Sequence, residues 1–292
     1  MKTVLITGSN RGIGMETALA FARAGHIVFA TVRSIEKAAD FKQLIKDEFL
    51  PINIYQMDVD SDESVKKCVN KITQEHGNID VLINNAGIER HGSVEELSIE
   101  DFKSVMETNY FGALRCSKAV LKAMRQNNRG CIINISSVAG KIACTPFGAY
   151  SASKFALEAT TEILAQEVKP YNIRVALIEP GIIATEMSYA IAKKNDSLYP
   201  QVRRFGNLFT ATLKTPTPSA MVAEKILEVV ESGTWQLRHA IGPDAEPFLS
   251  WRLSMKDEEW LEWNSQEDEA WYDAVESTFG MNCRPERLQK EK

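Results

Sequence analysis

The stretch TVLITGSNRGIG, which runs from Thr3 to Gly14, joins a short apolar run to a glycine-rich turn. Its first five residues have the composition of a buried strand, and helical spacing of apolar residues begins at Gly14. Gly8, Gly12 and Gly14 thus stand between a strand and a helix, where backbone amides can approach a phosphate at the positive helix end. Their G-x-x-x-G-x-G spacing differs from the standard G-x-G-x-x-G dinucleotide fingerprint. The position favours a pyrophosphate site, although a tight turn that only starts a helix has the same pattern.

Strand-like and helix-like segments continue to alternate along the chain. Five further runs have the Val- and Ile-rich character of buried strands: HIVFAT (26–31), INIYQMDV (52–59), DVLINN (80–85), CIINIS (131–136) and IRVALIEP (173–180). Helical spacing occurs at Gly14–Ala24, Ile35–Glu48, Asp62–His76 and Ile99–Arg125. This alternation predicts right-handed crossovers. We therefore predict an α/β fold with a single doubly wound, Rossmann-type parallel sheet and helices on both faces, plus a short helical C-terminal extension.

Composition and charge exclude several classes of protein. The 292 residues are 44% hydrophobic and 25% charged, which is typical of a globular protein, and the net charge of -5 argues against nucleic-acid binding. Five cysteines without a C-x-x-C pair predict reduced thiols. Neither a secretory signal nor an apolar run of membrane-spanning length is recognisable, so we expect a cytoplasmic protein without a membrane span. The four histidines lack paired ligand spacing, and we expect no metal.

A tyrosine and a lysine lie four residues apart in YSASK, Tyr150 to Lys154. Residues i and i+4 of a helix share one face, so both side chains converge on one volume that the small residues between them keep open. A nearby cation favours the phenolate and lowers a tyrosine pKa, which is ordinarily about 10. The spacing thus predicts a tyrosine tuned for proton exchange by its lysine. In isolation, the motif would more often be a packed tyrosine and a solvated lysine.

Six motifs follow one another in a fixed order: TGSNRGIG (7–14), NNAG (84–87), TNYFG (108–112), ISS (135–137), YSASK (150–154) and PGIIAT (180–185). This order resembles the short-chain dehydrogenases/reductases of the classical type over about residues 2–242. Ser137 and Tyr150 are 13 residues apart, as that family expects. The chain looks nearest the branch of 17-beta-hydroxysteroid and retinol dehydrogenases and their bacterial relatives. Residues 1–242 are predicted to form one NADP-binding catalytic domain, and 243–292 an acidic, Trp-rich extension.

The resemblance implies hydride transfer between a nicotinamide cofactor and a carbonyl or alcohol. Ser137 would hold the substrate oxygen, Tyr150 would exchange the proton, and Lys154 would also bind the nicotinamide ribose. Asn109 would interrupt the long helix and help to hold a water that relays protons. These four are the expected catalytic residues.

The resemblance also implies the cofactor contacts. They are Gly8, Ser9, Asn10, Arg11, Gly12, Ile13, Gly14, Arg33, Asp58, Val59, Asn85, Ala86, Gly87, Tyr150, Lys154, Pro180, Gly181, Ile183 and Thr185. Asn84 is expected only to tie strands together. The second strand ends at Val32 and Arg33 without the carboxylate that binds the ribose 2'-hydroxyl in NAD-dependent relatives. A guanidinium at Arg33 or Arg11 suits a 2'-phosphate, so NADP is favoured over NAD, unless both arginines are merely solvated.

The expected substrate is a bulky apolar carbonyl compound or alcohol, such as a steroid or retinoid. By the resemblance, Ser137, Ile142, Phe147 and Tyr150 bind it, and Cys144 also flanks the site. Residues 182–216 would form a flap over the pocket, and its large apolar residues favour an apolar ligand, unless they pack only on each other. Its basic residues, Lys193, Lys194, Arg203, Arg204 and Lys214, are expected to form a solvated face.

Two other functions use similar motifs. A non-catalytic NADP-sensing regulator could share the fold, although such proteins often lose the Tyr or the Lys that this chain keeps. Nucleotide-sugar-modifying relatives share Tyr-x-x-x-Lys but differ in glycine spacing. A serine hydrolase is disfavoured because the sequence has no G-x-S-x-G motif.

The C-terminal extension differs in composition from the rest of the chain. All five tryptophans lie in the last fifth, and residues 244–276 carry eleven acidic side chains against two basic ones. Apolar spacing predicts two short amphipathic helices. They would either dock on the core and only stabilise it, or pack near the flap and help to close the substrate pocket. Their aromatic faces and the family resemblance also suggest a homo-oligomer, dimer or tetramer.

Overall fold

The computed structural model describes residues 1–193 and 196–289. Residues 194 and 195 of the predicted flap, with the expected solvated Lys194, and residues 290–292 of the extension lie outside this part. The strands are β1 (Thr3–Ile6), β2 (Ile27–Val32), β3 (Ile52–Gln56), β4 (Val81–Asn84), β5 (Gly130–Ile135), β6 (Ile173–Pro180), β7 (Ile183–Ala184), β8 (Thr217–Pro218) and β9 (Arg238–Ile241).

The described residues also form thirteen α-helices. They are α1 (Gly12–Arg23), α2 (Ala39–Asp47), α3 (Asp62–His76), α4 (Ile99–Met106), α5 (Ala113–Gln126), α6 (Gly148–Val168), α7 (Glu186–Lys193), α8 (Pro200–Thr212), α9 (Ser219–Ser232), α10 (Ala245–Leu253), α11 (Asp257–Ser265), α12 (Asp268–Phe279) and α13 (Pro285–Gln289). None of these described helices is long and apolar enough to cross a lipid bilayer.

Seven strands form one parallel sheet in the order β3-β2-β1-β4-β5-β6-β9. The order reverses between β1 and β4, which opens a crevice at the carboxyl ends of the strands. One face packs against α1, α2 and α9, and the other against α3, α5 and the end of α6. Val4 and Ile6 of β1 enter the first core and Leu5 the second, because neighbouring side chains of a strand point to opposite faces. The predicted doubly wound α/β fold is confirmed.

Two elements differ from the sequence expectation and a third agrees with it. The strand β9 was not recognised, since it has only four residues and two of them, Arg238 and His239, are charged or polar. The predicted helix 35–48 is divided into a 3₁₀ turn, Glu36–Ala38, and α2. The predicted helix 99–125 is interrupted as expected, because Glu107–Gly112 forms a π-helical segment that contains Asn109.

The extension folds into four helices, α10 to α13, rather than two. It packs on its own chain against the flap: Asn207 of α8 donates a hydrogen bond of 2.9 Å to the hydroxyl of Tyr272 in α12. Trp260 of α11 donates from Nε1 to the carbonyl of Ala143, at 3.1 Å, in the loop that follows β5. The extension therefore contacts the flap and the loop after β5 of its own chain. Its position near the flap is the one expected in the second arrangement, and its role in closing the substrate pocket stays a prediction.

Candidate active site

The glycine-rich loop after β1 is held close to the loop after β4. A Cβ atom at Gly8, where φ is +67°, would stand 2.9 Å from the Cα of Ala86, and one at Gly14 would stand 2.4 Å from the carbonyl oxygen of Gly8. The side-chain amide of Asn85 donates to the carbonyls of Thr7 and Gly8 at 2.9 and 3.0 Å. Only glycines permit this packing, which fixes the loop at the amino end of α1.

That helix end suits a phosphate group. Among the described residues, no side chain caps the amino end of α1. A Cβ at Gly12 would meet only the methyl group of Thr185, at 3.6 Å, so the first turn faces open space. The free amides and the positive end of the helix dipole therefore point into the crevice, and these residues fit a dinucleotide pyrophosphate.

A cleft of about 580 Å³ extends from this loop across the carboxyl ends of the strands. The predicted cofactor residues that line it are Gly8, Asn10, Arg11, Gly12, Ile13, Gly14, Arg33, Asp58, Val59, Asn85, Ala86, Gly87, Tyr150, Lys154, Pro180, Gly181, Ile183 and Thr185. The predicted contact Ser9 does not line the cleft. It is 0% exposed, and its hydroxyl donates to the carbonyl of Ile6 at 3.0 Å, so it supports the loop from beneath.

The cations of the cleft are distributed unevenly. Arg33 and Lys37 both line the cleft just after β2, with Ser34 between them. Arg11 instead forms an ion pair with Glu186, which begins α7 on the opposite side. Arg11 is thus partly neutralised, and the positive charge available to an anion is greater beside Arg33. Lys37 was not predicted from the sequence, because it lies beyond the end of β2, where the residue that contacts the adenosine ribose is expected.

Ser137, Tyr150 and Lys154 are brought together at the end of β5. Ser137 lies two residues after that strand, and Tyr150 and Lys154 lie in the first two turns of α6. The Nζ atom of Lys154 is 5.5 Å from the ring centroid of Tyr150. It donates a hydrogen bond of 2.7 Å to the carbonyl of Ile135, the last residue of β5. The bond fixes the face of α6 that carries both residues against the strand end.

Burial dominates the electrostatics of this group. It raises the pKa of Tyr150 to about 12, and a hydrogen bond with Ser137 opposes the rise. Burial also lowers the pKa of Lys154 to about 8, with the carboxylate of Glu158 acting in the opposite direction. The expected fall in the tyrosine pKa is therefore not found in the protein alone. The low-dielectric surroundings disfavour the phenolate, and the Lys154 ammonium, which donates to the carbonyl of Ile135, does not reverse this.

Asn109 supports the same region from the π-helical segment. Its Oδ1 accepts a hydrogen bond from the amide of Ile88 at 2.8 Å, and its Nδ2 donates to the carbonyl of Ile88 at 2.9 Å and to Ser153 at 3.0 Å. Ser153 in turn donates to the carbonyl of Tyr150 at 2.7 Å. Asn109 thus joins the loop after β4 to the first turn of α6, although it does not line the cleft among the described residues. Asn84 links strands and helix, as expected, by donating to Asn134 and Ser117.

A second cavity, of about 130 Å³, lies next to the cleft and is almost entirely apolar. Ser137, Phe147, Gly181 and Phe209 belong to the walls of both spaces. The predicted substrate residues Ile142 and Phe147 line this cavity, as does Cys144. Tyr150 lines the cleft instead, so the two spaces meet at the expected reaction centre.

The flap and the extension form most of the remaining wall. Phe205 and Phe209 of α8 pack on Phe147 with ring centroids 4.5 and 6.1 Å apart. Four tryptophans of the extension also line the cavity: Trp251, Trp260, Trp263 and Trp271. The sequence left their position open, because they lie 66 to 86 residues after the last motif, PGIIAT (180–185). Tyr189, Leu198 and Tyr199 of the flap are exposed and do not line the apolar cavity, although Tyr189 lines the cleft.

The fold, the uncapped helix end and the long cleft define a Rossmann-type dinucleotide-binding protein. The short chain dehydrogenase family profile matches residues 2–196, and the chain belongs to that family. It is 42% identical over 179 residues to 3-ketodihydrosphingosine reductase of Bacteroides thetaiotaomicron and 40% identical over 189 residues to retinol dehydrogenase 8 of Bos taurus. These alignments cover 61% and 63% of this chain, and 62% and 60% of the two relatives.

Solved structures agree with this assignment. A short-chain dehydrogenase from Streptomyces avermitilis superposes with a TM-score of 0.77 at 31% identity, covering 90% of this chain and 95% of the other. A gluconate 5-dehydrogenase from Burkholderia cenocepacia, in complex with NADP and tartrate, gives a TM-score of 0.73 at 25% identity, covering 86% and 95%.

Proposed function

We propose that this protein is an NADP(H)-dependent oxidoreductase that interconverts a carbonyl and an alcohol on an apolar substrate. The observation that carries the proposal is the position of Ser137 and Tyr150 where the cleft and the apolar cavity meet. A dinucleotide in the cleft and a substrate in the cavity would approach each other there. Membership of the short chain dehydrogenase family and relatives named for a ketone and an alcohol support the same reaction class.

Each polar residue of the group has a distinct proposed role. The nicotinamide, when bound, supplies or accepts the hydride. Ser137 hydrogen-bonds the substrate oxygen, and the Tyr150 hydroxyl gives that oxygen a proton during reduction or takes one during oxidation. Lys154 holds the ribose next to the nicotinamide, and its ammonium stabilises the phenolate left after proton donation. Asn109 positions the first turn of α6 and contributes to proton transfer through a water.

The preference for NADP rests on Arg33 with its neighbours Ser34 and Lys37. The two cations suit a 2'-phosphate, and the Ser34 hydroxyl, which donates to Glu36 at 2.6 Å, could turn toward it; a ribose hydroxyl would require an acceptor that β2 does not provide. A structural neighbour holds NADP, which agrees with this preference. The cytoplasmic location and the homo-oligomeric state stay predictions from the sequence.

The purified chain should be screened with NADPH and NADH against ketones, steroids, retinoids and sugars, with nicotinamide absorbance as the readout. Tyr150→Phe keeps the ring and removes only the exchangeable proton. It should lower kcat by ~10² to 10⁴ while cofactor affinity stays nearly unchanged. Retention of more than about half of the wild-type kcat would rule out the role of Tyr150. A panel that gives no turnover despite tight NADPH binding would favour the regulator instead.

A further inference from the structure

Among the described residues, one charged side chain reaches the wall of the apolar cavity. Arg204 of α8 lines it and is 3% exposed. Its Nε donates a hydrogen bond of 2.6 Å to Oδ1 of Asp268 at the start of α12. Its Nη1 is also buried, yet it has no hydrogen-bond partner among the described residues. A buried guanidinium nitrogen without an acceptor is costly, so this atom calls for an explanation.

The local charges do not cancel. Arg203, the preceding residue, pairs with Oδ2 of the same Asp268, so two guanidinium groups share one carboxylate. The two arginines differ in position: the side chain of Arg203 is 47% exposed, whereas that of Arg204 is 3% exposed. Water can therefore compensate the charge of Arg203 but not that of Arg204. An anionic group inside the cavity would supply both the missing charge and the missing acceptor.

The surroundings hold Arg204 in place. Asp268 fixes one edge of its guanidinium, and the ring of Trp271 lies 6.0 Å from the guanidinium carbon. Both residues belong to α12, so the extension orients the charge that the flap contributes. A preoriented guanidinium in an apolar pocket selects strongly for a ligand that carries a carboxylate, because the ligand need not organise the site.

We propose that the apolar cavity binds a substrate whose carboxylate is held by the guanidinium group of Arg204 while its apolar frame contacts the tryptophans of the extension. This inference rests on the proposed function, which puts the reacting carbonyl or alcohol carbon at Ser137 of the same cavity. The substrate class is thereby narrowed to oxo acids or hydroxy acids with an apolar body.

The test compares octanoate with 1-octanol, which share an eight-carbon chain. Four of the five tryptophans line the cavity, so the intrinsic fluorescence of the full-length protein reports binding without a cofactor. Burial alone favours the alcohol, because desolvating a carboxylate costs more. A charge-assisted hydrogen bond should reverse this order and make octanoate bind at least about 10-fold more tightly. Equal binding, or tighter binding of octanol through the unpartnered Oε1 of Gln201, would overturn the proposal.

Two variants locate the effect. Arg204→Met should abolish the preference for octanoate, whereas Arg203→Met, which removes the exposed partner of the same aspartate, should keep it. Preference retained in Arg204→Met, or lost equally in both variants, would contradict the assignment. Because the wild-type comparison needs no variant, poor folding of Arg204→Met leaves the proposal testable. Reduction of a neutral ketone with NADPH is measured separately. If the ketone is reduced but octanoate is not preferred, only the carboxylate site is contradicted; if no ketone is reduced, the proposed function is contradicted as well.

Discussion

Asp244, the residue before α10, accepts a hydrogen bond of 2.8 Å on its Oδ2 from the backbone amide of Ile182. Ile182 lies in the segment between β6 and β7, and its neighbour Gly181 belongs to the walls of both the cleft and the apolar cavity. The extension therefore begins with a contact to the candidate active site. The division of the chain into a catalytic domain and an extension at residue 242 stays a prediction. The extension nevertheless contacts the candidate active site directly, through Asp244.

Gly181→Ala should disturb this contact. A Cβ atom at position 181 would stand 2.1 Å from Oδ1 of Asp244, too close for both groups to remain. We expect a loss of about 1 to 3 kcal/mol in the free energy of unfolding, measured by urea denaturation, as for other overpacked sites. Asp244→Ala removes the obstacle together with its hydrogen bond. The double variant should therefore be less destabilised than the two single losses added together, and strict additivity would contradict the contact.

Arg33→Ala should weaken NADPH binding selectively. If Arg33 binds the 2'-phosphate, its loss should cost about 10- to 150-fold in NADPH affinity and leave NADH affinity almost unchanged. Arg11→Ala is the matched control, because Arg11 is already paired with Glu186 and should have a smaller effect. Affinities come from titration of the purified variants. Equal weakening of both cofactors by Arg33→Ala would refute a 2'-phosphate contact.

Local patterns made the sheet and most of the crevice predictable. The strand β1, the glycines after it and the pair Tyr150 and Lys154 are encoded within a few residues, so period and spacing reveal them. Ser9 shows the limit of such patterns, since its place in the loop motif suggests a cofactor contact, whereas its hydroxyl donates inward to the carbonyl of Ile6. A motif fixes which residues stand near a ligand, but the orientation of each side chain depends on its neighbours.

Contacts between distant segments were not predictable. Arg204 looked like one of several solvated flap residues, and only its pairing with Asp268, 64 residues later, makes it a buried charge. The apolar spacing of the extension indicated helices that must bury one face, without indicating which surface covers them. The pKa of Tyr150 likewise depends on burial by several elements, and the lysine four residues away could not reveal it.

Lys154→Met should stabilise the protein while it impairs function. Burial lowers the pKa of Lys154 from 10.5 to about 8, so holding the ammonium at neutral pH costs about 3 kcal/mol. In the unfolded chain, Lys154 keeps its proton up to about pH 10.5, whereas in the folded protein it loses the proton near pH 8. The full cost is therefore present below about pH 8 and disappears as the pH rises toward 10.5. The variant should have a higher Tm at pH 7, and the gain should shrink near pH 10.

The same variant should lose cofactor affinity and turnover if Lys154 has its proposed role. Lys122→Met, at an exposed position of α5, is the control and should change stability by no more than about 0.5 kcal/mol. A Lys154→Met protein that is less stable than the wild type at pH 7 would show that the hydrogen bond to Ile135 outweighs the burial cost.

Glu179→Gln should alter the pH dependence of stability. Glu179 of β6 and Glu158 of α6 are both buried beside Arg238 of β9, whose Nε is 2.9 Å from Oε2 of Glu158 and 3.5 Å from Oε1 of Glu179. Burial, and next the charge of Glu158, raise the pKa of Glu179, and Arg238 offsets only part of this. The folded protein therefore keeps a proton on Glu179 at pH values where the unfolded chain has lost it.

The sign of the effect follows from proton binding. Above the pKa of an ordinary glutamate and up to the raised pKa of Glu179, the folded state binds more protons, so stability falls as pH rises, by up to about 1.4 kcal/mol per pH unit. Glutamine does not titrate, so the variant should lose less stability between pH 5 and pH 8 than the wild type does. Denaturant unfolding at several pH values measures this slope. The control is Glu162→Gln, which alters the exposed partner of Arg238 and should leave the slope of stability against pH unchanged. A slope for Glu179→Gln equal to that of the wild type would disprove the titration of the buried Glu179.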